Sequence, residues 1–216
     1  MNPTPIPTPT IALPEVCLQR ISSLLASGSR QILGIAATPG AGKSTLAQAI
    51  QTHFGEAVQV VPMDGFHLAN SELHRLGRRS RKGAPDTFDA AGYVNLMRRI
   101  HTQRADEVVY APEYRREMEE AIAGAIGVQP QTRLIVTEGN YLLLDESPWC
   151  QLREVLDEIW YLDVADDLRH SRLLARHMHF GKSEQQARDW IASTDEPNAL
   201  RIAAGRARAD VCVPWC

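Results

Sequence analysis

One stretch constrains this chain more than any other: Ala37-Thr38-Pro39-Gly40-Ala41-Gly42-Lys43-Ser44, with Thr45 behind it. It stands between two patterned segments. Gln31–Ala37 is almost wholly apolar, the pattern of a strand buried on both faces. Lys43–Phe54 has a helical pattern and is closed by Gly55. A strand, a glycine turn and a helix in that order make an anion cradle. Gly40 and Gly42 let the backbone curl so that successive N–H groups point inward, and the helix adds its positive N-terminal end. Lys43 contributes a point charge and Ser44 a hydroxyl. The spacing fits the phosphate loop of nucleoside triphosphate-binding proteins, with Ala37 where glycine is commoner. In that setting the lysine serves the outer phosphates and the serine serves Mg²⁺. The loop specifies a nucleotide but no reaction.

The rest of the chain reads as strands alternating with helices. Ala57–Met63, Arg133–Glu138, Glu158–Asp163 and Asp210–Val213 have strand patterns. Pro14–Ser27, Ala90–Thr102, Val164–Phe180, Ser183–Ser193 and Pro197–Ala204 have helical ones. Glu107–Tyr110 reads as a short strand, Ile122–Val128 as an edge strand, and Asn70–Pro85 as a basic loop with a short helix. The alternation predicts an α/β fold. We expect a three-layer α/β/α sandwich around a mainly parallel five-stranded sheet. Residues 1–13 read as a disordered Pro/Thr tail, and residues 14–216 as a single domain. A net charge of −3 gives no general attraction to nucleic acid or to anionic membranes. No apolar run is long enough to span a bilayer. The N-terminus lacks the apolar core of a signal peptide, and the four cysteines have no metal or redox spacing. These features read as a cytoplasmic protein that binds neither nucleic acid nor membrane and is free to form a homodimer.

Two acids fall where strands end. Asp64 lies in Met63-Asp64-Gly65-Phe66-His67, and Glu138 in Thr137-Glu138-Gly139-Asn140-Tyr141. In an open parallel sheet, ligands bind beyond the carboxyl ends of the strands, so both acids should face the crevice of the phosphate loop. One acid can accept the proton of an attacking hydroxyl while the other holds Mg²⁺. Arg75, Arg78, Arg79, Arg81 and Lys82 crowd the loop after Asp64, to attract an anionic acceptor, to close over phosphates, or as a solvated face. Arg169, Arg172 and Arg176 form one stripe of a helix. His177-Met178-His179 has no further ligand cluster near it in sequence, so it does not read as a metal site.

Together these segments resemble the phosphoribulokinase, uridine kinase and type I pantothenate kinase family of P-loop kinases. The resemblance runs from about Ile32 to Val213. Met63–His67 looks like the family's Asp-containing motif, which implies that Asp64 is the base. Arg81-Lys82-Gly83-Ala84-Pro85-Asp86-Thr87-Phe88-Asp89 looks like its acceptor segment. Ala111-Pro112-Glu113-Tyr114 and Thr137-Glu138-Gly139 are similar to two further family segments. Pro197-Asn198 and Arg206–Asp210 look like the segment flanking the adenine in pantothenate kinases, which implies nucleotide contacts from Arg206 and Arg208. The helix after the fourth strand corresponds to the family's lid helix region, whose arginines reach the transferring phosphoryl group.

The resemblance implies a magnesium-dependent ATP:alcohol phosphotransferase. Lys43 and the loop amides would hold the phosphates, while Ser44 and Glu138 would organise Mg²⁺. Arg172 or Arg176 would steady the transition state. His67, Arg81, Lys82, Tyr114 and Asn140 would line the site for a small-molecule acceptor: a sugar, a nucleoside or a pantothenate-like alcohol. The competing class is a regulatory NTPase that acts on a protein partner. A GTPase is disfavoured because there is no Asn-Lys-x-Asp, and Asp89-Ala90-Ala91-Gly92 opens a helix pattern.

Overall fold

The computed structural model describes residues 12–216, so the tail expected at residues 1–13 falls almost wholly outside the described residues. The order is α1 (Glu15–Ala26), β1 (Gln31–Ala36), α2 (Lys43–Phe54), β2 (Val58–Val60), α3 (Asn70–Arg75), α4 (Ala90–His101), β3 (Val109–Arg115), β4 (Glu120–Val128), β5 (Leu134–Gly139), β6 (Glu158–Asp163), α5 (Asp166–His179), α6 (Glu184–Trp190), α7 (Glu196–Ala203) and β7 (Val211–Pro214). Five strands form one sheet in the order β2-β5-β1-β6-β7, and every pairing in it is parallel.

The three central strands, β1, β5 and β6, are buried on both faces because their side chains alternate between two cores. Ile32, Ile135 and Ile159 join Tyr93, Met97 and Ile100 of α4 on one side. Leu33, Ile35, Leu134 and Val136 join Ile21 of α1 and Leu46 and Ile50 of α2 on the other. This is the expected three-layer sandwich. A buried polar chain crosses it: the Tyr93 hydroxyl lies 2.6 Å from Thr137 Oγ1, which donates to the Val61 carbonyl at 2.7 Å.

Two departures from the sequence reading shape the site. The strand expected over Ala57–Met63 pairs only over Val58–Val60, with one further bond from Val61 N to Val136 O at 2.9 Å. Pro62 has no N–H to extend the ladder, and the chain turns into a 3₁₀ segment, Met63–Phe66. Asp64 therefore sits in a turn beyond the sheet rather than at a strand end. The second departure is a separate antiparallel hairpin formed by β3 and β4, where an edge strand was expected over Ile122–Val128. Its register shifts between Ala111 and Glu113, where Pro112 interrupts donation. The hairpin packs on the Asp64 turn so closely that a Cβ on Gly65 would lie 2.4 Å from the Pro112 carbonyl oxygen. Among the described residues, no helix is long and apolar enough to cross a membrane.

Candidate active site

The turn between β1 and α2 has the backbone that its glycines predict. Gly40 and Gly42 have φ of +83° and +94°. Gly42 caps α2 without any side-chain acceptor, so the first amides of the helix stay open. The space around the turn is tight: a Cβ on Gly40 would lie 2.7 Å from Leu173 Cγ and 2.8 Å from the Arg169 carbonyl oxygen. One on Gly42 would lie 3.0 Å from the Trp215 indole nitrogen.

Lys43 folds back over this turn. Its Nζ donates to the carbonyls of Ala37 and Thr38 at 3.2 and 3.3 Å, and to Asn140 Oδ1 at 2.6 Å. Burial lowers its pKa to about 8, against the opposing pull of Glu138 and Asp64. Ser44 Oγ donates to Glu138 Oε1 at 2.9 Å. Glu138 is buried at the end of β5, and burial, reinforced by Asp64, raises its pKa. A hydroxyl beside a carboxylate is a pair of hard oxygen donors, the chemistry that suits Mg²⁺. A dication would favour the ionised form of Glu138 that burial disfavours.

A cleft of about 1100 Å³ opens over the loop. Pro39, Gly40, Gly42, Lys43, Ser44, Thr45, Glu138 and Asn140 line one end of it, and Asp64, His67, Lys82 and Tyr114 also line it. Arg172 and Arg176 face it from α5. Arg172 Nη1 donates to the Ala41 carbonyl at 3.3 Å. Arg176 is half-buried, and desolvation, followed by the nearby Arg116, lowers its pKa. Arg169, on the same stripe, stays outside the cleft. Its side chain is 3% exposed and pairs with Asp166 at 3.0 Å. Its Nη1 lies 2.8 Å from Glu196 Oε1 without a directed hydrogen bond. The sequence spacing alone could not tell this supporting arginine from its two neighbours.

His67 is fixed by its Nδ1, which lies 2.8 Å from the Asp64 carbonyl oxygen. That oxygen can only accept, so the proton is on Nδ1. Burial lowers the ring's pKa, and the ring packs against Phe88 and Tyr114 with centroids 4.0 and 4.6 Å away. Burial pushes the Tyr114 hydroxyl up to about 12. Lys82 lies over the Tyr114 ring and donates to Asn70 Oδ1 at 2.8 Å.

Of the remaining sequence candidates, Arg79, His177 and Asn198 also line this cleft, whereas Arg81, Arg206 and Arg208 do not. Arg81 pairs with Asp86 on the surface. Arg206 pairs with Asp163 at 2.7 Å. Arg208 donates to the Leu143 carbonyl at 2.9 Å and to Asp145 Oδ2 at 3.2 Å. His177 is engaged by Asp195 at 2.8 Å.

The cleft also includes residues that the sequence did not single out: Arg116, Glu119, Trp190, Asp195 and Trp215. Arg116 is the most telling, because its Nη2 lies 3.2 Å from Asp64 Oδ2. In sequence it sits in Arg115-Arg116-Glu117, a mixed-charge run that reads as a solvated turn.

Comparison with known proteins identifies the family. A Schizosaccharomyces pombe protein named as a candidate uridine kinase is 33% identical over 208 residues, covering 91% of this chain and 87% of its own. The Escherichia coli protein YggC is 33% identical over 189 residues, covering 85% of this chain and 77% of its own. A crystal structure of a candidate fructose transport system kinase from Silicibacter sp. TM1040 superposes with a TM-score of 0.83 at 36% identity, covering 92% of this chain and 98% of that one. A family model described as the phosphoribulokinase / uridine kinase family matches residues 32–214. That match runs from the first strand of the sheet to the last and takes in the glycine turn, both acids and the hairpin, so the chain belongs to the phosphoribulokinase / uridine kinase family.

Proposed function

We propose that this protein transfers the γ-phosphoryl group of ATP to a hydroxyl of a small molecule, with Asp64 as the base. The observation that carries the reading is that one cleft holds Asp64 together with Lys43, Ser44 and Glu138. Asp64 is also close enough for its field to act on both Lys43 and Glu138. A bare nucleotide switch has no need of a second carboxylate beside the phosphates, or of an aromatic pocket beyond it.

The loop amides and Lys43 hold the phosphates by charge and direction. Ser44 and Glu138 are the residues that would hold Mg²⁺, which when bound offsets charge on the outer phosphates. The acceptor oxygen bonds to the γ-phosphorus as its proton passes to an Asp64 carboxylate oxygen. The bond to the bridging oxygen breaks, and ADP leaves with that electron pair. Arg172 and Arg176 face the same space and offset charge on the transferring group. His67, Tyr114, Lys82 and Asn140 shape the acceptor end. Relatives named for uridine and for fructose transport point to different acceptors. A sugar, a nucleoside or a pantothenate-like alcohol all fit the reading.

The test is Asp64→Asn, assayed by transfer from ATP to an alcohol that the wild type phosphorylates. We expect a loss of about 100-fold to 10,000-fold in kcat, the worth of a general base. Full retention of transfer would remove Asp64 from the mechanism.

A further inference from the structure

The base assigned above is not free: Asp64 is paired with Arg116, whose guanidinium reaches it from the turn that joins β3 to β4. Among the described residues, Asp64 is the only carboxylate that Arg116 meets as an ion pair. The turn that carries Arg116 is held firmly. The Glu119 carboxylate meets Arg79 at 2.5 Å, and the Glu119 carbonyl accepts from Asn70 Nδ2 at 3.2 Å and from Lys82. The Asn70 backbone N–H donates to Glu120 at 3.0 Å. Glu119 takes a φ of +51°, a left-handed conformation that persists only where the surroundings enforce it.

This pairing conflicts with catalysis. A guanidinium on the Asp64 carboxylate occupies the approach that an acceptor hydroxyl needs, because the oxygen that should take the proton is already engaged at 3.2 Å. The pair is also weakly committed: the side chains are 47% and 30% exposed, and a single oxygen contact at 3.2 Å falls short of a bidentate clamp. A better anion in the cleft can therefore draw Arg116 away. The nucleotide end already has Lys43, Arg172 and Arg176 for phosphates. Arg116 comes from the Asp64 turn's own hairpin, on the same strand–turn segment as Tyr114.

We propose that the acceptor carries an anionic group, a carboxylate or a phosphate, which takes Arg116 from Asp64 and so frees the base when the correct substrate binds. Arg116 then both selects the acceptor and couples its binding to release of Asp64. A neutral alcohol leaves the ion pair intact and meets an occupied base. This inference rests on the kinase reading, and the experiment separates the two.

The experiment pairs anionic alcohols with their neutral counterparts. Glycerate and gluconate form the carboxylate arm, glycerol phosphate and glucose phosphate form the phosphate arm, and glycerol and glucose are the references. ATP-dependent transfer is measured for the wild type, Arg116→Ala and Arg116→Lys. We expect one arm to exceed its neutral reference in kcat/KM by about 10-fold to 100-fold, the worth of one charge-assisted hydrogen bond. Arg116→Ala should bring that ratio toward one, and Arg116→Lys should restore part of it. Equal use of neutral and anionic members overturns the proposal. So does an equal loss on both in Arg116→Ala, which would assign Arg116 to the shared nucleotide. If no alcohol is phosphorylated, titration calorimetry of the same anions with a non-hydrolysable ATP analogue bound decides. Binding that Arg116→Ala weakens at least about tenfold upholds Arg116 as the anion reader while the kinase reading fails. Absence of anion binding overturns the role of Arg116 as well.

Discussion

The Ser44 hydroxyl and the Glu138 carboxylate, joined at 2.9 Å, tie the first turn of α2 to the end of β5. The two residues are far apart in sequence and meet because β1 and β5 are register partners, with Ile35 opposite Glu138. This contact places the two oxygen donors of the cleft side by side. Ser44→Ala should therefore raise the Mg²⁺ concentration needed for half-maximal activity by at least about 10-fold to 100-fold, the usual cost of disturbing a metal's supporting shell. Glu138→Gln should lower activity as well. Because burial raises the Glu138 pKa, removing its charge should leave the free protein at least as stable near neutral pH. A Mg²⁺ titration and a melting curve on each variant check both halves. Unchanged Mg²⁺ dependence in both would remove this pair from the metal's binding set.

If Lys43 holds the phosphates, nucleotide binding should be sensitive to alkaline pH. Its pKa of about 8 in the free protein is below the ordinary lysine value, so its charge is lost earlier than on the unfolded chain. Bound phosphates favour the protonated amine. Binding should therefore take up a proton near pH 8, and affinity should fall by up to about tenfold per pH unit above it. The sign for folding is the opposite. Between about pH 8 and 10.5 the unfolded chain holds the extra proton, so the Lys43 contribution to stability rises with pH. Calorimetry of ATP binding in buffers of different ionisation enthalpy measures the uptake, which Lys43→Met should abolish.

Gly40 and Gly28 make a matched pair with φ of +83° and +85°. A Cβ at Gly28 meets nothing within 4 Å, whereas at Gly40 it meets Leu173 and the Arg169 carbonyl. Gly28→Ala should cost only backbone strain, about 1–2 kcal/mol, and leave ATP affinity intact. Gly40→Ala adds overpacking of about 1–3 kcal/mol and should displace the loop, with loss of ATP binding. Equal ATP affinity in the two variants would mean that the fit of the loop against α5 does not matter.

The arginine stripe of α5 should divide by function. Arg176→Ala should lower kcat by about 100-fold to 1000-fold with little change in stability, as for loss of a group that meets developing charge. Arg169→Ala removes a buried cation from beside Asp166 and Glu196 and should destabilise by about 3 kcal/mol. Melting temperature and kcat, measured on both variants, separate the roles. The account fails here if Arg169→Ala melts like the wild type while Arg176→Ala unfolds.

Much of this was legible in the chain. The helix after the glycine turn and the strand Glu158–Asp163 have the bounds their patterns predict, because apolar periodicity and a closing glycine mark them directly. The geometry of the glycine turn was legible for the same reason: it is local, one strand, one turn and one helix. The acceptor end was not. Arg116 reaches Asp64 only because the hairpin docks on Gly65, a tertiary contact that no periodicity records. Trp215 packs on Gly42 because β7 pairs with β6, and in sequence it is simply an aromatic near the chain's end. The separation of Arg169 from Arg172 and Arg176 likewise depends on Glu196, which the α6–α7 segment brings alongside α5.

The most direct test of the central claim is product stoichiometry. ATP is incubated with the protein and a panel of small alcohols, and ADP and phosphorylated products are counted together by mass spectrometry. The account predicts that one class of alcohol accelerates ADP formation, with one phosphorylated alcohol formed for each ADP. ADP formation that no alcohol accelerates and that releases only free phosphate, or that only a protein partner accelerates, would contradict it.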